Sequence, residues 1–333
     1  MSETLPGDAI DPGVLDEAAD WLMRLSASDA TPADREACER WRQSSAEHAR
    51  AWARAQALLR KLGGLPASLA MPVLDRPARG GRRAALGQFG KLAVLLGVAP
   101  AGWATWRELE RRGWTADHRT AAGERRDVTL LDGSRITLNT LSAIDVRFGT
   151  AERLVWLHAG EILVETGHRG EFAQRPFRVA TQQGRLEAIG TRFSVREQVG
   201  WTQVAVYEGR VRLEPRNGGL ARVLEAGEQA RFSPDGIDRV MAVDKMAATA
   251  WTQGLLLADG MTLADLAAEL ERYRPGTVSC DPAIAKLRVS GSFPVGGRTG
   301  TDRSLAMLAA TYPIVLRVRL GGLWVTLSAR DAS

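Results

Sequence analysis

Residues 128–138 (VTLLDGSRITL) predict the class of structure that the middle part of this chain adopts. Apolar and polar side chains alternate on both sides of Asp132-Gly133, and an Asp-Gly pair between two alternating segments is a strong signal for a β-hairpin. The same period of two continues in residues 144–148 (IDVRF). We therefore expect antiparallel strands that reverse direction at Asp132-Gly133.

Alternation of this kind extends over residues 124–240. Further strands are predicted at residues 154–157, 162–164, 177–179, 192–195, 204–207 and 211–213. Glycine-centred segments predict the turns between them, namely HAGEI (158–162), Gly190-Thr191, YEGRV (207–211) and EAGEQ (225–229). About ten short strands with no helix between them are typical of an all-β sandwich or roll.

The N-terminal residues 11–62 show helical spacing of their apolar side chains instead. Asp11 and Thr31, each followed by proline, are residues that commonly begin helices. Ser44, followed three residues later by Glu47, has the spacing of a capping box. Three short helices with brief connections predict a small all-α three-helix bundle.

Helices and strands alternate again in residues 251–328. The helix predicted after Thr262 carries four apolar side chains on one face, namely Leu263, Leu266, Ala267 and Leu270. A second helix is predicted at residues 302–310, with strands on either side of it. The pattern predicts two small β-α-β units that form a compact α+β module.

A basic linker and a weakly apolar segment connect the helical part to the strands. The linker, residues 63–83, holds four arginines, three prolines, four glycines and one acidic residue. It is followed by residues 84–106, of which 92–106 carry no charge. That run is short for a membrane span, which needs ~20 apolar residues. Trp103 and Trp106 lie at its far end, where interfacial aromatic side chains are common.

The charges around residues 84–106 predict an orientation. Because the basic linker precedes the segment, the positive-inside rule predicts a single transmembrane helix with a cytoplasmic N terminus. Lys91 lies near the N-terminal end, where its amine can reach the headgroups. A helix buried in a soluble core is the alternative. Arg82-Arg83 also resembles part of a twin-arginine export signal.

Composition argues against several functions. The 333-residue chain carries 44 basic and 39 acidic side chains. Up to Arg83, twelve basic residues are balanced by twelve acidic ones, which leaves no positive excess for nucleic acid. Two cysteines, Cys38 and Cys280, and four scattered histidines form no metal-binding motif. No nucleophile, phosphate-loop or paired-acid motif is present, so the sequence predicts neither an enzyme nor a cofactor.

Several segments resemble FecR-type anti-sigma regulators. The helical part does so over residues 18–55 (AADWLMRLSASDATPADREACERWRQSSAEHARAWARA). The strand-rich part does so in LLDGSRITLNTLSAI (130–144), GEILVETG (160–167), PFRVATQQGRLEAIGTRFSV (176–195), VAVYEGRV (204–211) and LEAGEQARF (224–232). Residues 263–291 resemble the short domain found in secretins and at the N terminus of TonB-dependent transducers.

The resemblance implies a single-pass protein of the bacterial inner membrane with four parts. These would be a cytoplasmic helical domain (11–62), a transmembrane helix (84–106), a periplasmic all-β FecR domain (124–240) and a C-terminal α+β module (251–328). The helices would bind an extracytoplasmic-function (ECF) sigma factor. The periplasmic part would bind the signalling domain of a TonB-dependent outer-membrane transducer, often one for ferric siderophores. Membrane proteases would cleave the regulator, and no direct nucleic-acid contact or cofactor is implied.

The candidate sigma-factor-binding residues are Trp21, Leu22, Leu25, Trp41 and Trp52. An apolar helix face of this kind binds partner helices. A domain this small has room to bury about two tryptophan rings. A structural role for all three tryptophans in the core is an equally compatible alternative, and the resemblance favours a residue set that serves both purposes.

The candidate receptor-binding residues are Leu287, Val289 and Phe293. They lie in a predicted strand of the C-terminal module, whose edge could accept a partner strand.

Two other functions remain open on the sequence. The first is a DNA-binding one-component regulator, in which the helices form a helix-turn-helix and the strands bind a ligand. The second is a membrane-anchored periplasmic protein that binds a glycan or another ligand. The charge balance of the helical part disfavours the first of these.

Overall fold

The structure is a computed structural model and describes residues 10–26, 31–62, 116–172, 174–297 and 299–330. The chain divides into two compact units. One unit combines Met1–Val73 with Gln253–Ser333, and the other is Leu74–Thr252. The first unit therefore contains both the N-terminal helices and the C-terminal module.

The N-terminal helices are α1 (Pro12–Ser26), α2 (Pro32–Gln43) and α3 (Ala46–Leu62). Their starts follow local capping. Helix α2 begins after Thr31, as the sequence predicted, and Thr31 and Asp34 form a complete capping box there, which was not predicted. Helix α3 starts one residue later than expected, because Ser45 and not Ser44 accepts a hydrogen bond from the backbone N–H of His48 (3.2 Å).

The second unit is built from one strand network. Its strands are β1 (His118–Arg119), β2 (Arg126–Thr129), β3 (Arg135–Leu138), β4 (Ala143–Phe148), β5 (Arg153–Glu165), β6 (Phe177–Ala180), β7 (Gly184–Gln198), β8 (Trp201–Pro215), β9 (Arg222–Glu225), β10 (Glu228–Phe232) and β11 (Met241–Ala242). The order is β1-β4-β5-β6-β7-β8-β10-β11, with β3 of the β2–β3 hairpin also paired to β5, and β9 paired to β8. Among these strands only β5 and β6 pair in parallel. A short helix, α4 (Lys245–Thr249), follows.

The hairpin predicted at Asp132-Gly133 is present. Strands β2 and β3 are antiparallel and pair from Arg126 with Leu138 to Thr129 with Arg135. Gly133 adopts a φ of 78°, which glycine reaches without steric cost. The core of this unit is apolar, and its largest fully buried side chains include Phe177, Phe193, Phe232, Ile136 and Leu157.

Three of the predicted glycine turns are wrong, because the chain continues as a strand through each of them. HAGEI lies inside β5, Gly190-Thr191 inside β7 and YEGRV inside β8. Positive-φ glycine here creates a bulge that bends a long strand. At the β7–β8 bulge a Cβ on Gly209 would lie 2.2 Å from the carbonyl oxygen of Gly190, so only glycine allows the two strands to approach.

The C-terminal module holds two small sheets. Its elements are β12 (Leu255–Thr262), α5 (Leu263–Arg272), β13 (Thr277–Cys280), β14 (Arg288–Pro294), α6 (Gly300–Thr311), β15 (Ile314–Arg319) and β16 (Trp324–Ala329). β12 pairs antiparallel with β14, and β16 lies between β13 and β15. The two predicted β-α-β units are therefore interleaved, since β12 and β13 on either side of α5 belong to different sheets. Helix α5 buries Leu263, Leu266, Ala267 and Leu270, as predicted.

The predicted fold class is wrong at two points, of which the first is the transmembrane helix. None of the helices in the described ranges is long and apolar enough to cross a bilayer. The longest, α3, has 17 residues and contains charged side chains along its length, whereas a span needs ~20 predominantly apolar ones. Residues 63–83 and 84–106, for which a linker and the span were predicted, lie outside the described residues.

The second error concerns the N-terminal helices, which do not close a core of their own as a separate three-helix bundle. Their buried cluster combines side chains of all three helices with Trp324 of β16, whose side chain is 0% exposed. The helices contribute Leu15, Ala18, Ala19, Leu22, Cys38, Ala51, Trp52 and Ala55. Three short helices offer too little apolar surface for a core of their own, and Trp324 of the C-terminal module adds its ring to that core.

Candidate functional site

The five candidate sigma-factor-binding residues divide into two groups. Leu22 and Trp52 are buried, at 4% and 9% exposure, in the cluster that contains Trp324. Trp21, Leu25 and Trp41 are partly exposed and pack against the same cluster. The structure therefore brings all five to one apolar cluster, but only the second group presents surface that a partner can contact directly.

The Trp41 ring is held in place by polar contacts on its edge. Its Nε1 donates a hydrogen bond to Oε2 of Glu17 in α1 (2.6 Å), which ties α2 to α1. The imidazole of His48 in α3 meets the indole edge-on, with 4.9 Å between ring centroids. An aromatic side chain fixed in this way contributes contact area at low entropic cost. Trp21 is covered on one side by the guanidinium of Arg24, 5.3 Å from the ring.

The outer face of the β13–β16–β15 sheet lies against these helices. Trp324, Thr326 and Ser328 alternate along β16 and are all buried. On the neighbouring strand β15, Arg319 pairs with Trp324 and Arg317 pairs with Thr326 in the register, so both arginines belong to the same face. This face, with a tryptophan, hydroxyls and two arginines, is called the β16 face below.

Two acidic residues of α1 meet the arginines of the β16 face. Oδ1 of Asp20 lies 2.5 Å from Nη1 of Arg319. Asp16, one turn earlier, is nearly buried and lies 3.4 Å from Nε of Arg319 and 3.7 Å from Nη1 of Arg317. The negative charges of α1 thus face the positive charges of the β16 face.

Several polar atoms at this contact have no hydrogen-bond partner among the residues that the structure describes. They are Oδ1 of Asp16, Nε1 of Trp324, Oγ1 of Thr326 and Oγ of Ser328. A buried polar group without a partner loses its hydration and gains nothing in return, at about 1–3 kcal/mol each. The contact between the helices and the β16 face therefore has complementary charges and buried apolar area, but it leaves several polar atoms without hydrogen bonds.

Of the candidate receptor-binding residues, Leu287 lies directly before β14, and Val289 and Phe293 lie within it. Leu287 is half-buried, and its carbonyl oxygen accepts a hydrogen bond from the backbone N–H of Leu263 (2.8 Å). Val289 and Phe293 are 0% and 3% exposed, so their side chains belong to the module core. Contact with a partner strand would then use the backbone of β14, which pairs with β12 in a two-stranded sheet.

The strand unit contains a buried ion pair that the sequence did not single out. Asp132, predicted only as a turn residue, lies with its Oδ2 2.6 Å from Nη1 of Arg153. The hydroxyl of Ser134 donates to the same carboxylate oxygen (2.7 Å), and Arg153 donates to the carbonyl of Gly167 (2.8 Å). Nothing in the local pattern distinguishes this Asp from an ordinary hairpin Asp, since its partner lies in another strand.

A second buried carboxyl lies near the β7–β8 turn. Burial raises the pKa of Glu197 to about 7, although a hydrogen bond from the hydroxyl of Thr202 (2.8 Å) acts in the opposite direction. Elsewhere in the described part of the chain, no group of three His, Cys, Asp or Glu side chains lies close enough to hold a metal ion.

Two protein families match this chain. The FecR protein family matches residues 116–212, and a domain of unknown function, DUF4880, matches residues 16–58. The first covers β1 to most of β8, and the second covers the greater part of α1–α3. No curated protein matches the chain.

Two crystal structures of a candidate anti-sigma factor from Parabacteroides distasonis ATCC 8503 are similar in fold. The structure at 2.50 Å has a TM-score of 0.52 and 23% identity, covering 64% of this chain and 98% of that one. The structure at 1.65 Å has a TM-score of 0.50 and 23% identity, covering 64% and 99% respectively. The helical domain and the FecR domain follow each other in the order that the sequence resemblance predicted, and the two family matches support the assignment of the chain as a FecR-type anti-sigma factor over residues 16–58 and 116–212.

Proposed function

We propose that this chain binds an ECF sigma factor through α1–α3 and holds it away from RNA polymerase. The observation that carries the proposal is the partly exposed aromatic surface of Trp21 and Trp41 within the matched N-terminal domain. Tryptophan is among the residues that most often dominate the binding energy of protein interfaces. The activity is one of binding, and no catalytic step is part of it.

The test uses the purified full chain and ECF sigma factors from the same organism. Calorimetry should show a one-to-one complex, and the complex should block transcription by the reconstituted polymerase. Trp21→Ala and Trp41→Ala should each weaken binding by about tenfold or more, as expected for hot-spot residues. Glu36→Ala, at an exposed position of α2, is the matched control and should bind as the native chain does. A folded full chain that binds no sigma factor would contradict the proposal.

We further propose that the C-terminal module receives the signal from a TonB-dependent outer-membrane transducer, which fits a role in iron uptake. Support comes from β14, which lies in a sheet of only two described strands and so has an edge suited to strand addition. Leu287→Asp places a charge beside that strand and should weaken binding of the transducer's signalling domain. Val318→Asp, on the exposed surface of β15, is the control. Equal binding by both variants would exclude the β14 edge.

The location proposed is the bacterial inner membrane, where proteases could cut the regulator and release the sigma factor. Support comes from the FecR match and from the sequence resemblance. The arrangement implied earlier, with a cytoplasmic N terminus and a periplasmic C terminus, requires the contact between α1 and the β16 face to be open. If the contact is closed, α1 and the β16 face must lie on the same side of the membrane. Fractionation of cells, with protease protection of each end of the chain, tests both points.

A further inference from the structure

We propose that the hydroxyl of Tyr312 covers the edge of β14 that faces away from β12, and that a partner strand binds this edge by displacing the hydroxyl. The cover rests on contacts within the C-terminal module alone, so it holds wherever the N-terminal helices lie. The displacement rests on the proposed function, in which the partner is the signalling domain of a transducer. The experiments below separate the two.

The alternation of the backbone decides which groups of β14 face its free edge. The N–H of Val295, directly after the strand, donates to the carbonyl oxygen of Gly254, directly before β12 (2.8 Å). Backbone groups of successive residues in a strand turn to opposite sides, so residues at odd distances from Val295 turn away from β12. These residues are Ser290, Ser292 and Pro294. A proline fits such a position, because it has no N–H to leave unpaired.

Side chains of α6 and of the residue after it occupy these groups. The backbone N–H of Ser290 donates to the hydroxyl oxygen of Tyr312 (3.0 Å), and that hydroxyl donates to the carbonyl oxygen of Ser290 (3.3 Å). A phenolic hydroxyl is both a donor and an acceptor, so it replaces the two main-chain groups that a neighbouring strand would supply. At the other end of the edge, the hydroxyl of Ser304 donates to the carbonyl oxygen of Pro294 (2.6 Å). Covering of this kind protects an edge from unwanted strand pairing.

The middle of the same edge is open to an extended backbone. Ser290, Gly291 and Ser292 are exposed, and their side chains are small or absent. An added strand would pair with the main-chain groups of both Ser290 and Ser292, whereas Tyr312 pairs with those of Ser290. The strand therefore forms more hydrogen bonds with β14 than it breaks. The occupant that fits is a strand of the partner, recognised through its main chain.

The Tyr312 side chain can leave the edge at little cost. Tyr312 is half-buried and is the C-cap of α6, where its backbone N–H donates to the carbonyl oxygen of Leu308 (2.9 Å). Rotation of the side chain leaves this backbone bond in place. The 3.3 Å bond to the Ser290 carbonyl is longer than the usual ~2.5–3.0 Å for O–H···O and is therefore weak. The hydroxyl thus yields to a strand that offers several main-chain hydrogen bonds.

Hydrogen exchange of the full chain, resolved to single amides, tests the cover without any partner. Tyr312→Phe keeps the ring but removes the hydroxyl, so the Ser290 amide should exchange about fivefold faster. The Ser292 amide, on the same edge, should be unaffected. Thr311→Val, at the exposed neighbouring position, also removes one hydroxyl and is the matched control, with native exchange at Ser290. Unchanged exchange at Ser290 in a Tyr312→Phe protein with the native circular dichroism spectrum would overturn the cover.

The displacement is tested with the signalling domains of TonB-dependent transducers from the same organism. Tyr312→Phe removes the bonds that a partner strand must break, so the full chain should bind such a domain about fivefold more tightly. Thr311→Val should bind as the native chain does. Equal affinities of the native and Tyr312→Phe proteins would overturn displacement.

Two further outcomes separate this proposal from the proposed function. Self-association of Tyr312→Phe with no gain in affinity for a signalling domain would assign the β14 edge to a second copy of the chain and overturn displacement by the transducer. The absence of binding by any variant, together with faster exchange at Ser290 in Tyr312→Phe, would uphold the cover. It would reject the proposed role of the C-terminal module and displacement with it.

Discussion

Asp132 and Arg153 form an ion pair that is almost completely withdrawn from water. Oδ2 of Asp132 lies 2.6 Å from Nη1 of Arg153, and the two side chains are 0% and 4% exposed. The hydroxyl of Ser134 also donates to Asp132, and Arg153 also donates to the carbonyl of Gly167. The pair joins the β2–β3 hairpin loop to the start of β5, so a turn residue also fixes the position of the hairpin.

Removing the charge of Asp132 should destabilise the strand unit strongly. Asp132→Asn leaves the Arg153 guanidinium buried without a counter-charge, and breaking a buried pair in this way costs about 3–5 kcal/mol. Urea unfolding followed by circular dichroism measures the loss. Asp238→Asn, at an exposed position, should change the free energy of unfolding by less than about 0.5 kcal/mol. Similar losses in the two variants would mean that Arg153 finds another partner or reaches water.

Glu197 should make the stability of the strand unit depend on pH. Burial raises its pKa from 4.5 to about 7, so between these values the folded state binds a proton that the unfolded state has lost. The free energy of unfolding should therefore fall as the pH rises from about 4.5 to about 7. Glu197→Gln carries no ionisable group and should lack this decline. Urea midpoints at half-unit pH intervals measure it, and parallel curves for the two proteins would contradict the expectation.

Substitution of Gly209 should lower stability more than substitution of Gly200, a glycine with a similar backbone conformation. Gly209 and Gly200 adopt φ values of 70° and 83°, yet a Cβ would meet the Gly190 carbonyl at 2.2 Å in the first case and nothing within 4 Å in the second. Gly200→Ala should cost about 1 kcal/mol for the left-handed backbone alone. Gly209→Ala adds a clash that separates β7 from β8, so its melting temperature should fall further. Equal shifts in melting temperature would contradict the close approach at the bulge.

Trp324 should control access to a thiol in the N-terminal helices. Cys38 is buried in the same cluster, and burial raises the pKa of its thiol, so it should react slowly with alkylating agents. In a Cys280→Ser background, Trp324→Ala should accelerate alkylation of Cys38 at least tenfold, because losing a buried tryptophan costs about 3–5 kcal/mol. Val318→Ala should leave the rate as it is. An unchanged rate in Trp324→Ala would show that α1–α3 shield Cys38 without the sheet.

Features set by neighbouring residues could be predicted from the sequence. The start of α2 at Thr31-Pro32 and the hairpin at Asp132-Gly133 need only a few adjacent residues, and both are present. The apolar face of α5 follows from helical spacing in the same way. The start of α3 was displaced by one residue because Ser44 and Ser45 are chemically equivalent caps.

Features set by distant residues could not be predicted. A glycine with positive φ serves a turn or a bulge equally well, and only pairing with another strand decides between them. Gly160 and Gly209 were therefore misassigned to turns. The apolar face of α1–α3 likewise indicates that something covers it, but not that Trp324 does, nearly 300 residues along the chain.

The β7–β8 pair carries a consequence for how the strand unit folds. The two strands meet across a two-residue connection at Val199-Gly200 and stay paired from Gln198 with Trp201 to Gly184 with Pro215. Contacts between residues so close in sequence cost little chain entropy, whereas the parallel β5–β6 pairing closes a longer loop. We expect this hairpin to form first and to serve as the template on which β5, β6 and β10 assemble. Substitutions near Val199 should then slow refolding, and those in β6 should mainly speed unfolding.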